Sequence, residues 1–258
     1  MQIIISPAKK MRADSDTFPY RSLPRFLPQT GKILEKLRSM SYEELKALWK
    51  CNEQIARLNV ERLESMDLYR GLTPAILAYE GIQYQYMAPG VFSRQALDYV
   101  ESHLRILSGF YGILRPFDGV TPYRLEMQAK LPMDGHSDLY GFWGSSLAES
   151  LFSETDCIVD LASKEYSQCI TRFLPKDVRL ICCIFGEQKG ERIIEKGTMC
   201  KMARGEMVRS IAENQITDAE QLKAFDCLGY RFSPKASSEN TFVFIKEQNH
   251  PAERLKQI

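Results

Sequence analysis

The sequence predicts an α+β (mixed α/β) fold in one domain, and three observations carry that prediction. Short apolar runs of strand length stand at 2–5 (QIII), 156–161 (DCIVDL) and 178–185 (VRLICCIF), each bounded by polar residues. Blocks with helical spacing lie between them, and strands alternating with helical blocks imply a sheet covered by helices. The chain has 258 residues, of which 44% are hydrophobic and 26% charged with both signs interspersed, enough to bury one large core.

Residues Gln2 to Ile5 form a short strand that empties into Ser6-Pro7-Ala8-Lys9-Lys10. Open sheets place ligand groups at such carboxyl ends, although a surface loop with two lysines needs no ligand. Residues 14–28 have no period and read as a surface loop. Helical spacing then runs from 29 to 66. Ile33, Leu34 and Leu37 mark one helix, and Ser41 with Glu44 is a capping-box match that opens a second bearing Leu45, Leu48 and Trp49. Residues 53–63 supply a third, with Ile55, Leu58 and Leu63 expected inward. Thr73-Pro74 opens a short apolar segment at 75–79, and 81–89 reads as a loop or short helix carrying Tyr84 and Tyr86.

The middle of the chain is organised around 107–126, LSGFYGILRPFDGVTPYRLE. A helix is expected over about 93–107, with Ala96, Leu97, Val100, Leu104 and Leu107 near one face. It runs into Ser108-Gly109, Gly112 breaks the next turn, and Arg115 before Pro116 is pushed out of helical conformation. The expected product is a helix, a tight hairpin offering backbone N–H groups, and a basic exit strand, with Arg105 just upstream. Such N–H groups attract anions; a helix cap followed by an ordinary connection accounts for the same residues.

Tyr140, Phe142 and Trp143 sit among glycines at 139–144, as a pocket wall or as core, ahead of a helix through Phe152. The strand at 156–161 is followed at once by Ala162-Ser163-Lys164-Glu165-Tyr166, again polar groups at a strand end. The run at 178–185 reads as a central strand covered on both faces, and 186–194 as a hairpin arm turning at Gln188-Lys189-Gly190. A helix begins near Lys201, where Lys201 and Arg204 share a face and Arg209 lies off that stripe. Basic residues near a helix start oppose its dipole, and a bound anion compensates them; solvated surface charge is the alternative. A short helix over 217–225 and strands at 229–232 and 241–246 close the chain, with a polar tail from Glu247 expected to fray.

Composition narrows the function. No run approaches the roughly 20 apolar residues of a membrane span and MQIIISPAKK is no leader, so a cytoplasmic protein without a membrane partner is expected. The net charge of +1 neither requires nor excludes nucleic acid. Seven cysteines without regular spacing read as reduced thiols, and three scattered histidines make no metal constellation. Nucleotide-binding glycine loops, the nucleophile elbow and zinc spacings do not occur, so no cofactor is assigned. Arginine, lysine, tyrosine and glutamate at strand ends remain as the chemistry-capable set, suited to an anionic partner.

Taken in order, ISPAK, LSGFYGILRPFDGVTPYRLEM, LYGFWG, LASKEY and KMARGEMVRSI make the chain resemble the YaaA family of bacterial peroxide stress resistance proteins over nearly its whole length. The resemblance implies a single domain of unusual topology with a basic cleft, a helix-hairpin-helix element at about 93–126, DNA binding, and protection of DNA with limitation of free intracellular iron. Carried onto this chain, it implies anion or DNA contacts at Ser6, Lys9, Arg105, Gly109, Gly112, Arg115, Arg124, Lys201, Arg204 and Arg209. Tyr123, Tyr140, Trp143 and Ser163 would form a pocket wall, and Lys9, Glu126, Glu165 or Tyr166 would transfer a proton if the protein is an enzyme. The chain departs from the family pattern at Met127-Gln128, where Met-Gly is usual, and at Asp160, where Asn is usual. The expected partner is double-stranded DNA gripped without reading its bases; a nucleotide or other phosphorylated small molecule in a basic cleft is the alternative.

Overall fold

Three consecutive isoleucines, Ile3, Ile4 and Ile5, are wholly buried, as expected of a strand covered on both faces of a parallel sheet. In the computed structural model, which describes residues 1–14 and 16–247, they belong to β1 (Gln2–Ile5), flanked on both sides by parallel strands. The other strands of the main sheet are β2 (Leu104–Ser108), β3 (Gly112–Leu114), β4 (Cys157–Leu161), β5 (Arg179–Lys189), β6 (Arg192–Ile194), β7 (Asp226–Cys227), β8 (Tyr230–Phe232) and β9 (Thr241–Lys246). Their order is β7-β8-β9-β5-β4-β1-β2-β3, with β6 paired to the extension of β5. The centre, β9-β5-β4-β1-β2, is parallel, and both ends turn antiparallel. The result is a single mixed α/β domain.

Besides a single helical turn at Ala75–Ala78, the α-helices among the described residues are α1 (Leu27–Arg38), α2 (Tyr42–Trp49), α3 (Glu53–Ser65), α4 (Ile82–Met87), α5 (Arg94–His103), α6 (Leu139–Trp143), α7 (Ser146–Phe152), α8 (Lys164–Thr171) and α9 (Gly197–Glu213). The capping box at Ser41 and Glu44 forms on both sides. In α3 the buried face is Ala56, Asn59 and Leu63, whereas Leu58 is 45% exposed. Leu63 is inward as expected, but the first two inward positions are Ala56 and Asn59 rather than Ile55 and Leu58; Asn59 hides in the apolar stripe by donating to the Ile55 carbonyl at 2.8 Å. The short helix expected over 217–225 is a 3-10 helix at Ala219–Ala224. In β5 burial alternates, with Ile181, Cys183 and Phe185 inside and Leu180, Cys182 and Ile184 half-covered, so one face of this strand is less enclosed than expected. The tail beyond Glu247 lies outside the described residues.

The largest correction falls in the central segment. The helix stops at His103, and Leu104 to Ser108 form β2, in register with β1 through Ile3 and Leu104. Helical spacing of Leu104 and Leu107 made the helix look longer, but every residue from 104 to 108 is buried, which a two-sided strand allows and an amphipathic helix does not. The hairpin at 108–112 therefore joins two antiparallel strands rather than two helices. Its N–H groups are turned inward: those of Phe110 and Tyr111 donate to Ser108 Oγ at 3.2 and 2.9 Å. Gly112 has φ +78°, and a Cβ there would stand 2.8 Å from Leu147 Cδ2 and 3.0 Å from the Trp143 ring.

Candidate functional site

β1 is the strand at which the sheet changes direction of growth: β2 lies on one side of it and β4 on the other. A crevice opens beyond the carboxyl ends of strands at such a switch point. Here the residues leaving the two strands are tied together. Ser163, which follows β4 and starts α8, donates its N–H to Ser6 Oγ at 2.8 Å, and Ser6 Oγ donates to Ser163 Oγ at 3.1 Å. The Tyr84 hydroxyl donates to the Ser6 carbonyl at 3.0 Å, bringing α4 to the same point.

The cavity above these serines has a volume of about 510 Å³, within the range of small-molecule sites. Its walls come from five segments: Ser6 to Lys10 after β1, Glu80 to Tyr84, Tyr123 to Glu126, Ser163 to Tyr166 in part, and Lys201 with Arg204 on α9. Packing holds these segments in place. Gly205 lets α9 close on α4, since a Cβ there would overlap the Gln83 carbonyl and stand 2.8 Å from Tyr86 Cβ. Gly109 lets the chain at 125–127 pass behind the hairpin, its missing Cβ position being 2.9 Å from the Leu125 carbonyl oxygen. The floor is ordered by a buried relay. Ser108 Oγ already accepts two N–H groups, so its proton goes to the Tyr123 hydroxyl at 2.6 Å, which stands 2.9 Å from the Tyr79 hydroxyl.

Cations outnumber carboxylates on the walls: Lys9, Lys10, Arg124, Lys201 and Arg204 against Glu80, Glu126 and Glu165. Lys9 pairs with Glu126 at 2.8 Å and Lys10 with Glu80 at 2.9 Å. The arginines are less well served. Among the described residues Arg124 and Arg204, with side chains 12% and 17% exposed, each have only a carboxylate at 3.7 Å from Nη2, Glu126 and Glu195 respectively. Both Nε atoms are buried without a hydrogen-bond partner among the described residues, a condition that costs about 1–3 kcal/mol per group, more when it is charged. Lys201 has no ion pair among the described residues.

The acidic groups have distinct environments. Burial raises the Glu165 pKa and neighbouring Glu126 raises it further, against the Gln128 N–H, which donates to Oε1 at 3.3 Å, and Lys9. Burial keeps the Tyr166 phenol protonated. Asp160 lies beneath the crevice rather than on its wall. It accepts from Ser167 Oγ at 2.6 Å and the Ala162 N–H at 2.9 Å, and burial raises its pKa despite Arg204. The other departure from the family pattern, at Met127-Gln128, still makes a turn, with the Ala129 N–H donating to the Glu126 carbonyl at 3.1 Å.

Of the residues singled out in the sequence, the crevice unites Ser6, Lys9, Tyr123, Arg124, Glu126, Ser163, Glu165, Tyr166, Lys201 and Arg204. Others lie elsewhere. Arg105 is buried and donates Nε to Glu154 at 2.9 Å. Arg115 borders a separate depression of about 280 Å³ with Arg25 and Asp118. Arg209 pairs with Glu213 at 2.9 Å. Gly109 and Gly112 are buried in the hairpin. Trp143 is core, with Nε1 donating to the Gly109 carbonyl at 3.1 Å. Tyr140 stands behind the wall, donating its hydroxyl to the Glu165 carbonyl at 2.9 Å. Glu80, Ile82 and Gln83 were not singled out, because nothing local in 80–84 distinguishes them from a connecting turn.

The fold and this crevice define the class: a mixed α/β domain with a parallel sheet centre and a cation-rich cavity at its switch point. Residues 1–236 match the family described as "Peroxide stress protein YaaA", and the chain belongs to that family. It is 54% identical over 254 residues to a "UPF0246 protein" of Lachnoclostridium phytofermentans, covering 98% of this chain and 100% of that one. A "UPF0246 protein" of Pediococcus pentosaceus is 50% identical, covering 97% and 100% of the two chains. One of Agathobacter rectalis is 54% identical, covering 96% and 99%. Membership connects the chain with the oxidative stress response. No described helix is long and apolar enough to cross a membrane.

Proposed function

We propose that the protein serves the peroxide stress response by binding a phosphorylated small molecule, of nucleotide size, in the switch-point crevice. The observation that carries this reading is the pair of guanidinium groups on its walls, Arg124 and Arg204, each with a buried Nε that has no hydrogen-bond partner among the described residues. An anion beside them offsets that deficit through charge-assisted hydrogen bonds from the remaining N–H groups. Lys201, without an ion pair among the described residues, adds a third positive charge, and a volume of about 510 Å³ suits a mononucleotide better than a duplex. Catalysis in such a site would draw on Glu165, whose raised pKa suits an acid or base.

Duplex DNA is the second reading, supported by the exposed lysines Lys9, Lys10 and Lys201 around the crevice. It loses the hairpin as its grip, since the N–H groups at 110 and 111 are committed to Ser108. Among the described residues no group of three or more His, Cys, Asp and Glu is placed to hold an iron ion. Fluorescence titration with labelled mononucleotides and with a labelled duplex, on wild type and Arg204→Ala, separates the two. Saturable nucleotide binding lost in the variant supports the crevice; duplex binding alone, indifferent to Arg204, removes it.

A further inference from the structure

Resting on that reading, we propose that the crevice takes up its anion together with one proton shared between the anion and Glu165, so that it selects a protonated oxyanion such as hydrogen phosphate over an unprotonated one such as sulfate. The geometry begins with Arg124. Its Nη2 lies 3.7 Å from Glu126, and Glu165 lines the same cavity beside Glu126. An anion seated on Arg124 is therefore placed next to two carboxyl groups. Three negative charges in one partly enclosed site cannot all persist, and a single proton relieves the repulsion.

Glu165 is the group positioned to hold it. Glu126 has cations at hand, Lys9 at 2.8 Å and Arg124 at 3.7 Å, whereas Glu165 makes no salt bridge among the described residues. Its partners are neutral: the Gln128 N–H meets Oε1 at 3.3 Å, and the Tyr140 hydroxyl holds its carbonyl at 2.9 Å. The groups facing it are Glu126 and Lys9 across the crevice, the main-chain N–H of Met127, and Tyr166 and Cys169 on its own helix. Burial and Glu126 favour its protonated form, opposed by Gln128, Lys9 and Met127. The Tyr166 and Cys169 protons are both held more tightly by burial, so neither adds charge. As an acid, Glu165 donates to a bare oxyanion; as a carboxylate, it accepts from a ligand that brings its own proton. A phosphomonoester, with a second pKa of about 6, accordingly binds with uptake of a proton near neutrality.

Hydrogen phosphate and sulfate have the same charge and shape and differ by that proton. Calorimetric titration with inorganic phosphate and with sodium sulfate, at about pH 8 and about pH 5, tests the inference on wild type, Glu165→Gln and Arg204→Ala. Wild type should prefer phosphate by about tenfold or more at the higher pH, with the preference shrinking as pH falls and Glu165 takes up a proton. Glu165→Gln should bind both anions within about twofold of each other, because the amide donates to either. Equal affinity for the two anions at the higher pH in wild type, with both lost in Arg204→Ala, overturns the shared proton and leaves the crevice reading standing. If neither anion binds, or Arg204→Ala changes nothing, the anion site itself is refuted and this proposal with it.

Discussion

Gly205→Ala is expected to destabilise the protein even though it replaces a helix breaker inside a 17-residue helix. Intrinsic propensity favours the change by about 1 kcal/mol. Packing opposes it. The new methyl overlaps the Gln83 carbonyl oxygen and stands 2.8 Å from Tyr86 Cβ and 3.0 Å from the Met87 nitrogen, all on the neighbouring α4. Backbone atoms cannot rotate aside, so α4 and α9 must separate, and overpacking of this kind costs about 1–3 kcal/mol and sometimes more. Because the overlap is with backbone, the cost falls in the upper part of that range, about 2–3 kcal/mol, and the net expectation is a loss of about 1–2 kcal/mol, which for a chain of this size lowers Tm by about 2–8 °C. Anion binding should weaken as well, because α9 carries Lys201 and Arg204 while α4 carries Gln83 and Tyr84. Gly31→Ala in α1 is the control: nothing lies within 4 Å of its Cβ position, so propensity alone should stabilise by about 0.5–1 kcal/mol. Thermal melts and urea titrations of both variants are the assay. A Gly205→Ala protein as stable as wild type, or more stable, would refute the close approach of the two helices.

Arg204→Ala should leave the fold intact while weakening phosphate or nucleotide binding about tenfold or more, the loss of a charge-assisted contact of about 1.5–3 kcal/mol; unchanged binding in a well-folded variant excludes this residue from the site. Gly112→Val should lower Tm by at least several degrees, because φ is +78° and the side chain meets Leu147 and Trp143; an undisturbed melt would mean the hairpin packs differently. Burial raises the Asp160 pKa, so its contribution to stability is complete below the ordinary aspartate range and is lost as pH rises through the raised value. Asp160→Asn should flatten that loss in urea midpoints measured across about pH 4 to 8, and a pH profile identical to wild type would contradict it. Any duplex binding should fall with salt at a log–log slope near 0.9 per phosphate contact, and a flat response would argue against backbone contacts.

The sequence by itself determined the element types wherever the signal is local. The capping box at Ser41 and Glu44 and the strands β1, β4 and β5 stand where their spacing implies, whereas α9 begins at Gly197, so Lys201 and Arg204 lie past its first turn rather than at the helix start expected. It also marked Ser6, Lys9, Arg124, Glu126, Ser163, Glu165, Lys201 and Arg204 as chemistry-capable, since polar side chains at strand ends stand out against apolar runs. Only the tertiary structure decided what 104–112 does. A helical stripe and a doubly buried strand both place leucine at 104 and 107, and the choice rests on pairing with Ile3 to Ile5, about a hundred residues away. The partner of Arg105 was equally hidden, because Glu154, just past the end of α7, is 49 residues away in sequence. Glu80 to Tyr84 enter the crevice because Gly205 admits α4 against α9, a contact between segments some 120 residues apart. Local spacing encodes which face of an element is apolar; which charged groups meet across a cavity depends on strand order and helix approach, and these are settled by burial of the whole core at once.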